Sequence, residues 1–126
     1  MAIRQNFILT LCLFLALAAC GKGSDDQVEG FFNDIARGAK QDAAARFSPD
    51  LHDKFSEATL HGALDHWSGE ISSHGGLAGV DLAGDVVTYN ELAFYDVTLR
   101  FADGKSRNLK TTVKRKNGNW YISSAL

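Results

Sequence analysis

From Val28 to Ile71 the apolar residues recur with the period of a helix, and from Val80 to Ile122 with that of a strand. Val28, Phe31, Phe32 and Ile35 fall at i, i+3, i+4 and i+7, which predicts a first helix with one apolar stripe. Ser24-Asp25-Asp26-Gln27 ahead of it reads as a capping box, with both aspartates at the positive end of the helix dipole. Gly38 supplies the left-handed residue that ends it. Ala43, Ala44 and Phe47 mark a second, short helix, and Ser48-Pro49 restarts the pattern, turning Leu51 and Phe55 inward. Leu60, Leu64, Trp67 and Ile71 predict a third and longer helix from near Ser56, which Gly75-Gly76 stops. Within it Gly62 and Gly69 suggest close backbone packing or a bend, because glycine costs about 1 kcal/mol there relative to alanine.

Beyond Gly76 the period falls to two. Val80, Leu82, Val86, Val87 and Tyr89 predict a long first strand with a bulge at Gly84-Asp85. Tyr95, Val97, Leu99 and Phe101 alternate with polar residues in a second, and Leu109, Thr111 and Val113 in a third. Asp103-Gly104 and Asn117-Gly118 read as two-residue hairpin turns, the latter leading into Trp120-Tyr121-Ile122. A meander with one apolar face, preceded by apolar-striped helices, has to bury that face beneath them. The expected architecture is therefore a single α+β domain, with three N-terminal helices packed on a curved antiparallel sheet of about four strands.

The N-terminus follows a different pattern. After Arg4, Phe7 to Ala19 is apolar except for Thr10, far short of the roughly 20 residues that span a bilayer as a helix, so it reads as a signal-peptide core. Leu17-Ala18-Ala19-Cys20 resembles the lipobox of bacterial lipoproteins. The resemblance implies cleavage before Cys20 and acylation of its sulfur and new amino group, giving a signal peptide over 1–19, a lipidated tether over 20–23 and a domain over 24–126. Cys12 would leave with the signal and Cys20 would be consumed, so neither a free thiol nor a disulfide is expected. Gly21 rather than aspartate after Cys20 points, by similarity to enteric lipoproteins, to the outer membrane and its periplasmic face.

Composition excludes the alternatives to a packed core. The 126 residues are 45% hydrophobic with one proline and two cysteines, which is neither a low-complexity chain nor a disulfide scaffold. Charge is unevenly placed: Cys20 to Leu99 carries five basic and fourteen acidic residues, whereas Arg100 to Leu126 carries seven basic and one acidic. Either acidic helices complement a basic sheet within the fold, or the basic end is a surface for anions.

Val28-x-x-Phe31-Phe32-x-x-Ile35-x-x-Gly38, Phe47-Ser48-Pro49 and Lys116-Asn117-Gly118-Asn119-Trp120-Tyr121-Ile122 together resemble the nuclear transport factor 2-like (NTF2-like) superfamily, the cystatin-like cone. The likeness is strongest to its small bacterial lipoproteins, some called lumazine-binding-like. It implies a scaffold and no particular chemistry. Enzymes of the superfamily, ketosteroid isomerase-like and epoxide hydrolase-like, place acid–base groups in the cone mouth, where a proton moves only within hydrogen-bond reach of the substrate. Here Tyr95 and Thr111 are the only polar side chains in the inward registers of the two clearest strands, so no catalytic residue is assigned; Tyr89, Tyr95 and His66 are where such a role would first be sought.

Trp67, Tyr89 and Tyr95 are the candidate lining of a pocket for a small apolar ligand. Arg100, Lys110, Lys114, Arg115 and Lys116 are the candidate basic sheet face, able to meet lipid phosphates or an acidic envelope protein, and the resemblance to the cone fold implies that a second copy of the chain could dock there as well. His61 and His66, five apart on one helix, point to different sides, so neither a metal site nor a cofactor is expected. Nucleic acid is disfavoured by the address and by the lack of a phosphate-cradling glycine loop. The expected function is a noncatalytic, lipid-anchored binding or scaffolding module of the cell envelope, acting through its sheet face or cone mouth. A carrier of a small hydrophobic ligand and a cone-fold enzyme are the alternatives.

Overall fold

The computed structural model describes residues 23–125, and the side chains of all of them but 84–89. Four helices, α1 (Ser24–Ala36), α2 (Lys40–Ala45), α3 (Pro49–Lys54) and α4 (Glu57–Ser73), precede four strands, β1 (Leu77–Tyr89), β2 (Leu92–Phe101), β3 (Ser106–Lys116) and β4 (Asn119–Ala125). There are four helices where three were expected because the restart at Pro49 is a helix of its own. Ser48 caps it, its hydroxyl accepting the Leu51 N–H at 3.4 Å, and Pro49 occupies the first helical position. Ser56 caps α4 in the same way, accepting from Thr59 N–H at 3.2 Å. No helix among the described residues is long and apolar enough to cross a membrane.

The start of α1 differs from the expected capping box by one residue. Gly23 is the N-cap, in extended backbone, and its N–H donates to Asp26 at 3.3 Å. Ser24 lies inside the first turn, and its hydroxyl is hydrogen-bonded to that of Tyr95 on β2. The polar side chain predicted to cap the helix instead ties it to the sheet. Gly38, at φ 80°, ends α1 as expected, with Gly38 N–H donating to Ile35 O and Ala39 N–H to Asp34 O.

The glycines of α4 do not mark close packing. A Cβ on Gly62 or Gly69 would meet no atom within 4 Å outside the helix's own neighbouring backbone. Replacing both by alanine is therefore expected to raise stability by about 1 kcal/mol each, seen as a higher thermal midpoint. Gly30 is the opposite case, since a Cβ there would overlap the Arg46 guanidinium that lies across α1.

The sheet is an antiparallel meander in the order β1-β2-β3-β4. The β1–β2 register shifts between Ala83 and Val87, which places the bulge at the predicted Gly84-Asp85. A second shift leaves Ser123 without a partner, between Thr112↔Ser124 and Val113↔Ile122. Asn117-Gly118 is the expected two-residue turn, with φ of 53° and 81°. Asp103-Gly104, in contrast, belongs to a longer loop from Ala102 to Lys105, because Asp103 accepts the Lys105 N–H at 2.9 Å and its own N–H donates to His74 O. Beyond β4 the chain adds one parallel bridge: Ile122 N–H donates to Arg46 O at 2.7 Å and Ser48 N–H to Ile122 O at 2.9 Å.

Ala93, Tyr95, Val97, Leu99 and Phe101 of β2 and Leu109, Thr111 and Val113 of β3 face the helices and are buried. Val28, Phe31, Phe32 and Ile35 of α1 and Leu60, Leu64, Trp67 and Ile71 of α4 close over them, so both predicted stripes are core. Phe32 joins the two helices, its ring edge-on to Phe31 at 5.1 Å and to Trp67 at 6.0 Å. Within this core the Thr111 hydroxyl has no hydrogen-bond partner among the described residues.

Candidate functional site

A cleft of about 350 Å³ opens between α1, the α3–α4 corner, α4 and the end of β4. Phe31, Phe47, Leu51, Phe55, Leu60 and Trp67 form its apolar wall, and Thr59, Ser123 and Ser124 line it with hydroxyl-bearing residues. Its position follows from the local sequence. Ser48-Pro49 starts α3 and Ser56 starts α4, so Phe55 is stranded between two helix termini in extended backbone, 40% exposed at the rim. Among the described residues that line the cleft, none has an ionisable side chain. It can hold an uncharged apolar group and offers hydroxyls to a polar end, as apolar ligand sites do.

The predicted pocket residues separate. Trp67 lines this cleft, its indole also under the Arg107 guanidinium at 5.7 Å. Tyr95 is buried on the inner sheet face and takes no part in the cleft wall; its hydroxyl is engaged by Ser24. Burial pushes the Tyr95 phenol up; the Ser24 bond opposes this, while Asp25 and Asp26 add to it. That makes it a poorer proton donor. The Tyr89 side chain lies outside the described residues, as does Cys20.

The five cations predicted as a basic face are each within reach of a carboxylate. Arg100 meets Asp81 at 2.6 Å, Lys110 meets Asp96 at 2.6 Å, and Arg115 meets Glu91 at 2.8 Å. Lys114 and Lys116 share Asp50 of α3, at 2.7 and 3.3 Å. The charges are paired within the fold, but not mainly as acidic helices against a basic sheet: Asp81, Asp96 and Glu91 belong to the sheet and its β1–β2 turn, and of these partners Asp50 alone comes from a helix. A hollow of about 400 Å³ on the outer sheet face is lined by groups that bond one another, Lys110 to Asp96 and Thr98 to Asn108. Phe94 stands on the same outer face, 42% exposed.

These pairs set the response to acid. Hydrogen bonds from Lys114 and Lys116 hold the Asp50 carboxyl below its ordinary value, and Arg115 does the same for Glu91. His74, at 2.7 Å, and then the Lys105 N–H lower that of Asp103. A native value below the unfolded one means that the unfolded chain takes up protons first. The stabilisation is thus complete above about pH 4 and is lost as pH falls through the native values. A lower urea midpoint at pH 3 than at pH 6 is expected; an unchanged midpoint would show that the pairs contribute nothing.

Asp34 was not singled out in the sequence. It is 4% exposed and accepts from Arg46 Nε at 2.7 Å and Arg37 Nη2 at 2.8 Å, while Arg46 Nη1 donates to Gln27 at 2.7 Å. Burial alone would raise its carboxyl, but the hydrogen bonds and charges of Arg46 and Arg37 outweigh this and leave it lowered. The network joins α1 to the segment that bridges to β4.

Asp65 is taken by Lys40 and Glu70 by Arg107, at 2.9 Å for the latter. His66 packs edge-on to Trp67 at 5.5 Å, and His61 turns to Glu57 at 3.4 Å.

No family model and no curated protein matches the chain. Solved structures match its fold. A crystal structure described as that of an NTF2-like transpeptidase from Campylobacter jejuni superposes with a TM-score of 0.71 at 11% identity, over 82% of this chain and 99% of that one. The solution structure of a SEC-C motif containing protein from Rhodopseudomonas palustris gives a TM-score of 0.56 at 16% identity, over 75% and 70% of the two chains. At these identities the likeness carries the fold alone. The chain is a single α+β domain with an NTF2-like fold, helices packed on one face of an open four-stranded sheet.

Proposed function

We propose that this protein is a noncatalytic, lipid-anchored binding module of the bacterial cell envelope, held at the outer membrane through Cys20 and facing the periplasm. It receives an apolar group of an envelope protein partner in the cleft between α1, the α3–α4 corner and β4. The observation that carries the binding role is the cleft wall, six apolar side chains with Phe55 half-exposed at the rim. Phe55 carries the apolar wall out to the rim, so the opening is a contiguous apolar surface rather than one exposed ring, the kind of surface that contact with a partner covers. The self-neutralised sheet face favours the cleft over the basic face as the contact surface. The lipobox motif supports the anchor, and the three residues from Cys20 to Gly23 would hold the domain within about 10 Å of the bilayer surface.

The cleft volume also favours the second reading, a carrier of a small hydrophobic ligand, because about 350 Å³ lies within the range of small-molecule sites. Two measurements test these readings. Labelled palmitate supplied to cells is expected to mark the wild-type chain and fractionate with membranes, and Cys20→Ser is expected to abolish both; labelling of Cys20→Ser would remove the anchor from the proposal. Native mass spectrometry of the full chain extracted in detergent is expected to show the acylated mass alone. A stoichiometric apolar adduct lost in Phe55→Asp would replace the module by the carrier.

A further inference from the structure

We propose that His52, Glu57 and His61 form a binding site for a divalent transition-metal ion of the zinc type. His52 lies in the last turn of α3, Glu57 opens α4, and His61 follows one turn later on the same face. The corner at Phe55-Ser56 brings the three together: His52 Nδ1 is 3.6 Å from Glu57 Oε1, and His61 Nε2 is 3.4 Å from Glu57 Oε2. All three line one open hollow of about 350 Å³, together with Gln41, Ala44 and Ala45 and separate from the apolar cleft.

The tautomer of His52 supplies the chemical argument. Its Nε2 lies 3.0 Å from the Ala44 carbonyl oxygen, which can only accept, so Nε2 carries the proton. In the neutral ring Nδ1 then presents a lone pair to the Glu57 carboxylate. Two acceptors face each other, a conflict that either a proton or a metal ion between them resolves. A ring nitrogen whose opposite N–H is donated to a backbone carbonyl is the arrangement that orients metal-binding histidines. Two ligands held about 2.0–2.1 Å from a tetrahedral ion stand about 3.4 Å apart; each imidazole nitrogen lies near that distance from a different oxygen of Glu57, so the carboxylate has to turn for both to share one ion.

No three donors among the described residues already close around one point. The arm that has to re-aim is Glu57, whose side chain is 76% exposed, whereas His52 is held by Ala44 and by edge contact with Phe47 at 6.4 Å. Two imidazoles and one carboxylate suit zinc and its neighbours rather than calcium or magnesium. Three protein ligands leave a position open toward the hollow for water or a further ligand.

The test is titration of the untagged full chain in detergent micelles with Zn²⁺ by calorimetry, and with Co²⁺ by visible absorption. One ion per chain is expected, with His52→Ala and His61→Ala each weakening binding by at least about 10-fold to 100-fold, the cost of losing even an outer-shell partner. His66→Ala, which alters a histidine facing Trp67, is expected to leave it unchanged. Glu57→Gln provides a weakened site with the fold undisturbed, and thermal melts of every variant separate lost ligands from lost structure. Absence of stoichiometric binding by the wild-type chain, or equal affinity in His52→Ala, His61→Ala and wild type, would overturn the site.

Discussion

Replacing Arg46 by methionine is expected to lower the unfolding free energy by about 3 kcal/mol, or roughly 12–24 °C in thermal midpoint for a domain of this size. The cause is the charge left behind. The Asp34 side chain is 5% exposed, and of its two partners Arg46 is the less exposed, reaching across Gly30 to bind Gln27 as well. Without it the carboxylate keeps only Arg37, whose side chain is 62% exposed and divides its donors with Asp42 at 3.1 Å. An uncompensated buried charge costs far more than an intact pair contributes, so the double variant Asp34→Ala, Arg46→Met is expected to be more stable than the sum of its single changes. Urea unfolding of the four proteins in the cycle measures the coupling. Additive losses would show that Asp34 is solvated well enough to stand alone.

Phe32→Ala is expected to cost about 3–5 kcal/mol, which could leave little of a stability that is ordinarily about 5–15 kcal/mol. The ring has no exposed surface and packs edge-on against Phe31 of its own helix and Trp67 of α4, so its removal leaves a void where α1 meets α4. Phe55→Ala should behave in the opposite way. Its ring is 40% exposed and borders the cleft, so stability is expected to change by less than about 1 kcal/mol while the apolar rim is lost. Thermal melts of both variants distinguish the aromatic that builds the fold from the one that serves the site. A Phe55→Ala loss as large as that of Phe32→Ala would make the rim part of the core.

The elements were legible where a local rule determines them. The stripe Val28-Phe31-Phe32-Ile35, the Ser48-Pro49 restart, the bulge at Gly84-Asp85 and the Asn117-Gly118 turn each depend on residues a few positions apart, and each stands where it was predicted. The Asn90-Glu91 turn was missed because Glu91 occupies φ 66° without being glycine; the Arg115 N–H donating to its carbonyl at 2.7 Å and the Arg115–Glu91 pair hold it there. The site was less legible, for a reason of range. Lys114 and Lys116 look like free cations until α3 brings Asp50 from more than sixty residues away. Phe31, Phe47, Leu51 and Leu60 each read as ordinary core residues, and only the fold shows that with Phe55 and Trp67 they border an opening. Asp34 reads as a solvated helix position until Arg46 reaches back to it.

Site-specific photocrosslinking in the cell envelope tests the proposed contact most directly. Phe55 and Phe94 are matched probes, aromatic residues 40% and 42% exposed, one at the cleft rim and the other on the outer sheet face. With a photoreactive phenylalanine placed at each in turn in the full chain, position 55 is expected to capture an envelope protein and position 94 none. The capture at 55 should disappear when Leu51→Asp places a charge in the cleft wall. Capture at position 94 with none at 55 would contradict the cleft as the binding surface and return the contact to the sheet face.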